Sequence, residues 1–257
     1  MVMVKPKVGI FGLTGCAGEQ IVILNCEDQL IDILGAIDIK CFPTAMTKND
    51  DKCELDISFV DGSVVQPKDK ESLKKIRKRS KLLIALGTCA VWGGLPAMRN
   101  DVPREEFLEK VYGTKGRSFK SIPAQPLKNF VKVDLSISGC PIEKEQFLKA
   151  VASLLHGDQP LLPSYAVCTE CKMNEYVCML VERNELCLGP ITVAGCGARC
   201  PGYNIPCNGC RGPVDEANVA SEVKILKEKG FTLRDIENRL RSFAAKAEIL
   251  QEQFKKE

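Results

Sequence analysis

Cysteine is the residue type in this chain whose number and spacing could do chemistry. The 257 residues contain fourteen, in two patterns. In the first, Cys16, Cys89 and Cys140 each stand just after a short apolar run (KVGIFGL, KLLIALG and VDLSISG), with Gly or Pro alongside. In the second, Cys168-x2-Cys171-x6-Cys178-x8-Cys187 is followed by Cys196-x3-Cys200-x6-Cys207-x2-Cys210. These eight form two groups of four, each holding one CxxC pair and two further thiols. Four thiolates are the natural ligand set of an iron–sulfur cluster. Structural zinc is the rival. Its two CxxC pairs, Cys168/Cys171 and Cys207/Cys210, lie too far apart for ribbon spacing, and that scheme leaves four thiols idle. The single histidine, His156, excludes mixed Cys/His fingers as the main scheme. Cys26, Cys41 and Cys53 match no ligand spacing and read as structural thiols.

Three thiols of the first pattern leave a fourth ligand open. In Cys16-Ala17-Gly18-Glu19 the residue three along is Glu19. An i, i+3 pair at a helix start shares a face, so Glu19 can reach what Cys16 binds. It reads equally as a first-turn carboxylate stabilised by the helix dipole. Cys26 is ten residues on, about 15 Å along a continuous helix and too far for the same small cluster.

These residues need elements to position them. Strands read at 7–13, 56–62, 81–87 and 133–139. Helices read at 17–34, with Ile21, Leu24, Leu30 and Leu34 on or near one face, at 68–81, and at 143–157, with Gly157 as the stop. Strands separated by helices imply a flavodoxin-like, doubly wound parallel α/β sheet. All strands of such a sheet point one way, so residues just past strand ends gather along one edge, where these folds place ligands. Residues 1–160 are therefore expected to form that domain. Residues 161–215, rich in Cys, Gly and Pro, cannot build an apolar core alone and fold around something bound. Residues 216–257 read as a charged C-terminal helix with Leu240, Phe243, Ala247, Leu250 and Phe254 at helical intervals; packing on the domain or on a partner is its expected role.

Composition narrows the function further. Lys plus Arg is 36 against 33 for Asp plus Glu. That balance gives no argument from charge for nucleic acid or a membrane surface. Aromatics at 6% are too few for a base-stacking platform. The start shows no cleavage site and no twin Arg, and no run approaches the roughly twenty apolar residues of a membrane span. A cytoplasmic location is expected, where disulfides are rare and this many thiols call for metal. GLTGCAG at 12–18 lacks both the GxGxxG order and the GK[ST] of a phosphate loop. No GxSxG, HExxH or Cys–His pair occurs, and His156, beside Gly157, reads as a surface or satisfied residue.

Taken in order, Cys16-x-Gly18, Gly87-Thr88-Cys89-Ala90, Gly139-Cys140-Pro141, Cys187-Leu188-Gly189-Pro190-Ile191-Thr192 and Pro206-Cys207-Asn208-Gly209-Cys210 resemble the small, electron-transferring subunit of nickel–iron hydrogenases. AVWGGLPAMRN (90–100) and GPITVAGCGARCP (189–201) are most similar to the cofactor-coupled group that includes the F420-non-reducing (methyl-viologen-reducing) hydrogenases and the sulfhydrogenases. The resemblance spans roughly residues 5–215. It implies three 4Fe-4S clusters: a proximal one on Cys16, Cys89 and Cys140, a medial one on Cys196, Cys200, Cys207 and Cys210, and a distal one on Cys168, Cys171, Cys178 and Cys187. Many relatives have Pro at the position of Cys200 and a three-iron medial cluster, and relatives often have His at Cys168. The family's first motif is CxGC, and here it is CxGE. Either Glu19 ligates the proximal cluster or that cluster is altered or absent. Glu is a harder ligand than thiolate and can carry a proton. A lesser departure is Pro141-Ile142 where GCPP is common.

The resemblance implies a non-catalytic subunit of an oxidoreductase. Its partners would be a hydrogenase-type large subunit and a further subunit binding flavin, F420, NAD(P) or a heterodisulfide-reductase module, with no nucleic acid and no membrane. The alternative is a hydrogenase-like subunit of another oxidoreductase whose large subunit lacks the nickel–iron site. The quinone-oxidoreductase relative resembles only the first domain and lacks the eight-cysteine region. A zinc-stabilised interaction module without redox role is the rival from a different class.

Overall fold

The computed structural model describes residues 5–255 apart from 27, 28, 30, 31, 33 and 34. Five strands, β1 (Lys7–Gly12), β2 (Asp38–Cys41), β3 (Leu55–Asp61), β4 (Ser80–Leu86) and β5 (Leu135–Ile137), form one sheet in the order β2-β1-β3-β4-β5. Every pairing is parallel. This is the flavodoxin-like order, with its switch point between β1 and β3. Side chains alternate across the sheet. Val8, Ile10, Phe59, Ile84 and Leu86 face one core and Phe11, Val60, Leu83 and Ala85 the other. Ile23 of α1 (Gly18–Leu24) and Phe147, Ala150 and Val151 join the first core. Leu73 and Ile76 of α2 (Pro67–Lys78) and Ala90 and Val91 of α3 (Gly87–Trp92) join the second. Helices therefore cover both faces, as the sequence pattern requires.

Two short helices, α4 (Gly94–Ala97) and α5 (Arg104–Tyr112), follow α3. After β5, α6 (Lys144–Leu155) closes the sheet domain, and Gly157 takes a φ of 79° just past its end, as a stop signal should. The cysteine-rich stretch holds α7 (Val167–Met173), a 3-10 helix at Gly189–Ile191, α8 (Arg199–Gly202) and two isolated bridges among the described residues, joined by turns. Its apolar residues Val167, Met179, Leu186, Leu188 and Ile191 share one core with Val219, Val223, Leu226, Ile236, Leu240 and Leu250 of the C-terminal part.

Three expectations change. The helix read at 17–34 is interrupted: α1 ends at Leu24, residues 25–26 turn, and the described residues 29, 32, 35 and 36 are again helical. The buried side chains of α1 are Glu19, Gln20 and Ile23, while Ile21 is 52% exposed and Leu24 is also exposed; Leu30 and Leu34 lie outside the described residues. Polar bonds set its rotation: Gln20 Nε2 donates to both carboxylate oxygens of Asp61 at 3.1 Å. The strand read at 133–139 is three residues long, an edge strand paired only to β4. The tail is three helices rather than one: α9 (Val219–Glu228), α10 (Leu233–Ala244) and α11 (Glu248–Lys255). Gly230, with a φ of 92°, breaks the chain, and the Thr232 hydroxyl caps α10 by accepting from Asp235 N at 3.2 Å. Leu240, Ala247 and Leu250 are buried as expected.

The cysteine-rich stretch is tied to the sheet domain by a few polar contacts. Ser138 Oγ donates to Arg211 O at 2.6 Å and Trp92 Nε1 to the same oxygen at 3.3 Å. Thr88 Oγ1 donates to Cys210 O. Arg199 pairs with Glu143 at 2.6 Å.

Candidate metal centres

Cys16, Cys89 and Cys140 follow β1, β4 and β5, so the parallel sheet delivers all three to its C-terminal edge. Cys89 is buried in α3. Burial pushes its thiol up to about 12, and the neighbouring Glu19, Cys140 and Cys16 disfavour its ionisation further. Cys140 is pushed up to about 11 by burial and by Glu19, Cys210 and Cys16. Each of these side chains is thus close enough to feel the others' charge. Glu19 belongs to the set: it is only 4% exposed, and burial raises its carboxyl to about 7 with Asp61 adding to the effect. A Cβ at Gly87 would lie 2.2 Å from Glu19 Oε1, and one at Gly94 would lie 2.5 Å from Cys89 Sγ. Both glycines have positive φ, 82° and 56°, so only glycine leaves the carboxylate and the thiol where they are.

The eight remaining ligand candidates lie near one another in overlapping groups. Cys168 is pushed up to about 12 by burial and by Cys187, Cys171 and Cys178, and Glu222 lies close. Cys210 is pushed up to about 11 by burial and by Cys196 and Cys200. Cys207 stands between the two groups. Its N–H donates to Cys187 Sγ at 3.3 Å, while its thiol feels both Cys187 and Cys210.

Backbone N–H groups lie near five of the sulfurs and favour their thiolates: that of Leu95 at Cys89, Cys140 at Cys210, Ala198 and Arg199 at Cys196, Gly189 and Cys207 at Cys187, and Gly209 at Cys207. Such N–H groups favour the thiolate, whereas burial disfavours it. A bound cation resolves that opposition, and an almost all-sulfur donor set suits iron–sulfur chemistry. Among the described residues no three His, Cys, Asp or Glu side chains converge closely enough to hold a single metal ion.

Cys26, Cys41 and Cys53 stay apart from these sets. Cys26 and Cys41 are fully buried, with Sγ 3.5 Å from Val22 O and 3.6 Å from Asp51 Oδ1, and Cys53 Sγ is 3.6 Å from Asp50 O. His156 caps the end of α6 at the surface. Sequence reasoning did not single out Thr88, Glu170, Arg211 or Glu222. Each acts through contacts with residues distant in the chain, and the only local signal was Arg211 directly after a CxxC pair.

The edge of the first set is open. Cys16 is exposed, as are Ile21 on α1 and Leu95 on α4. Among the described residues no helix is long and apolar enough to cross a membrane.

Residues 16–154 match the family model of the NADH ubiquinone oxidoreductase 20 Kd subunit. The chain is 38% identical over 238 residues to the sulfhydrogenase 2 subunit delta of Pyrococcus furiosus, covering 93% of this chain and 99% of that one. It is 33% identical to a subunit of the vhu F420-non-reducing hydrogenase of Methanocaldococcus jannaschii, covering 91% and 93%. Among solved structures, a chain of an NAD+-reducing NiFe-hydrogenase in the H2-reduced state aligns with a TM-score of 0.56 at 26% identity, over 62% of this chain and 96% of that one. A chain of the NiFeSe hydrogenase of Desulfovibrio vulgaris Hildenborough aligns with a TM-score of 0.58 at 20% identity, over 86% and 97%, a likeness of fold.

Proposed function

The chain belongs to the family of the NADH ubiquinone oxidoreductase 20 Kd subunit, and on that footing we propose that it is the iron–sulfur electron-transfer subunit of a nickel–iron hydrogenase complex, not itself catalytic. The observation that carries the reading is the gathering of Cys16, Cys89, Cys140 and Glu19 at the sheet edge, with two further thiol sets behind them. The relatives support it: the sulfhydrogenase and F420-non-reducing hydrogenase subunits match this chain through the eight-cysteine region, beyond the reach of the family model.

Cys16, Cys89, Cys140 and Glu19 would hold the proximal group, Cys196, Cys200, Cys207 and Cys210 the medial one, and Cys168, Cys171, Cys178 and Cys187 the distal one. When bound, three 4Fe-4S clusters would supply one-electron carriers between a hydrogen-converting large subunit and an acceptor subunit. The chain's own residues set the conditions. Backbone N–H groups at the sulfurs stabilise negative charge there, and the apolar walls exclude water. In this reading residues 1–160 carry the proximal set, 161–215 carry the other two, and 216–257 cover them. The exposed Cys16 and the exposed apolar Ile21 and Leu95, on the helices that follow β1 and β4, would fit a docking edge for the large subunit. The acceptor subunit would bind flavin, F420, NAD(P) or a heterodisulfide-reductase module, and the complex would work in the cytoplasm.

Iron and acid-labile sulfide, measured on anaerobically isolated protein, test the reading. About twelve of each per chain are expected, four for each cluster; an iron-free protein would overturn it. The presence of Glu19 where the resembling family has a thiol favours one alternative, a partner large subunit without a nickel–iron site. Nickel analysis of the co-purified complex separates the two.

A further inference from the structure

Among the described residues Arg211 is the one cation in the buried set, 3% exposed. It directly follows Cys210, and its guanidinium lies against the backbone just before Cys196. Nε donates to Ala194 O at 2.9 Å, and a Cβ at Gly195 would stand only 2.7 Å from Nη2. Nη2 donates to Gln146 Oε1 at 2.7 Å, and Nη1 has no partner. Both acceptors are neutral. A buried charge held only by neutral oxygens is costly unless an opposite charge offsets it. The medial set can supply it: Cys210 directly precedes Arg211, and Cys196 follows Gly195, where a Cβ would stand 2.7 Å from Nη2. One carboxylate is also present, Glu170, whose Oε2 lies 4.0 Å from Cys196 Sγ. Its oxygens are engaged by Gly195 N–H at 2.8 Å and Ala198 N–H at 3.1 Å, so it does not neutralise Arg211 directly.

We propose that Arg211 is a positioning residue that sets the reduction potential of the medial site, its fixed guanidinium compensating negative charge on the Cys196, Cys200, Cys207 and Cys210 set. This rests on the cluster assignment above. Reduction there takes up one electron, breaks no bond and adds one negative charge. In a titration the electron comes from dithionite through mediators. A fixed positive charge alongside makes that uptake more favourable. Gln146 orients the guanidinium and is neutral, so the set keeps the full cationic charge.

The test is a mediated redox titration of the anaerobically isolated complex, followed by electron paramagnetic resonance, with the medial signal identified by its alteration in Cys200→Ser. Arg211→Gln is expected to weaken reduction of that signal at least tenfold, a fall of about 59 mV for a one-electron couple. The proximal and distal signals stay in place, and Arg211→Lys restores most of the shift. Gln146→Glu keeps Arg211 and its bond to Ala194 O but pairs the guanidinium with a carboxylate. It should move the same signal in the same direction, and it decides the matter should Arg211→Gln fail to fold. A full iron complement with an unshifted medial signal in Gln146→Glu and in any folded Arg211→Gln would overturn the proposal alone. A wild-type protein without iron would overturn the cluster assignment first, and this proposal with it.

Discussion

Replacing Glu222 by Gln separates a buried carboxyl from the chain's other titrating groups. Glu222 lies on α9 at 2% exposure, its Oε1 has no hydrogen-bond partner, and Cys168 and Cys187 are near. Burial raises its pKa from 4.5 to about 7. The native state therefore binds this proton more tightly than the unfolded chain does. Below pH 4.5 the group is protonated in both states and contributes nothing. Stability is lost as pH rises toward the native pKa, and above it the full penalty applies. A shift of about 2.5 units at 1.36 kcal/mol each gives roughly 3 kcal/mol. Glutamine keeps the shape and cannot ionise. Glu222→Gln should thus gain about 3 kcal/mol on the wild type between pH 5 and pH 8, which for a chain of this size is a gain in Tm on the order of 6–12 °C. Glu19 and Asp61 also have raised pKa values, but both proteins share them, so they cancel in the difference. The assay is thermal melting of both proteins, with their clusters in place, at several pH values. A constant offset between the two curves would refute the reasoning, because it would mean that Glu222 does not change charge on folding in that range.

Two further outcomes follow from the thiols. Glu19→Cys turns the proximal donor set into four thiolates and is expected to change its redox and spin spectra; an unchanged proximal signal would argue against ligation by Glu19. Cys89 and Cys168 are pushed to about 12 and Cys140 and Cys210 to about 11, so the metal-free chain holds them protonated at neutral pH. Loading iron and sulfide must then release protons, and loading should weaken as pH falls; a pH-stat record of anaerobic reconstitution with no acid release would contradict this.

The sheet was legible because its signals are local. β1, β3 and β4 are apolar runs that end within a residue or two of their predicted bounds, and the Pro67 start of α2 is written in the chain. The sheet edge was legible for a topological reason: parallel strands deliver their following loops to one side, so Cys16, Cys89 and Cys140 could be placed together without any contact being known. The rotation of α1 was not legible. Apolar periodicity pointed Ile21 and Leu24 inward, whereas the bond from Gln20 to Asp61 turns Glu19 and Gln20 inward instead. That bond joins residues 41 apart and leaves no trace in a local window. β2 escaped notice because DIKC is short and half polar. The polar residues that surround the thiols escaped for the same reason as α1. The roles of Arg211, Glu222 and Thr88 are defined by burial against distant segments, which periodicity cannot see.

In the proposed assignment the proximal, medial and distal sets would adjoin in that order: the Cys140 N–H favours the Cys210 thiolate, and Cys207 donates its N–H to Cys187 Sγ at 3.3 Å. Of the thiols assigned to the medial set Cys207 is buried and Cys196, Cys200 and Cys210 are partly buried, with the buried Arg211 next in the chain. The outer sets differ. Cys16 is exposed, as are Ile21 and Leu95, and the half-buried Cys178 lies in a stretch where Met173 and Val181 are 77% and 69% exposed. Exposed apolar side chains of this size near an open edge are where partners dock. Exposed apolar side chains in the stretches around Cys16 and Cys178 would suit the relay between two partners proposed above.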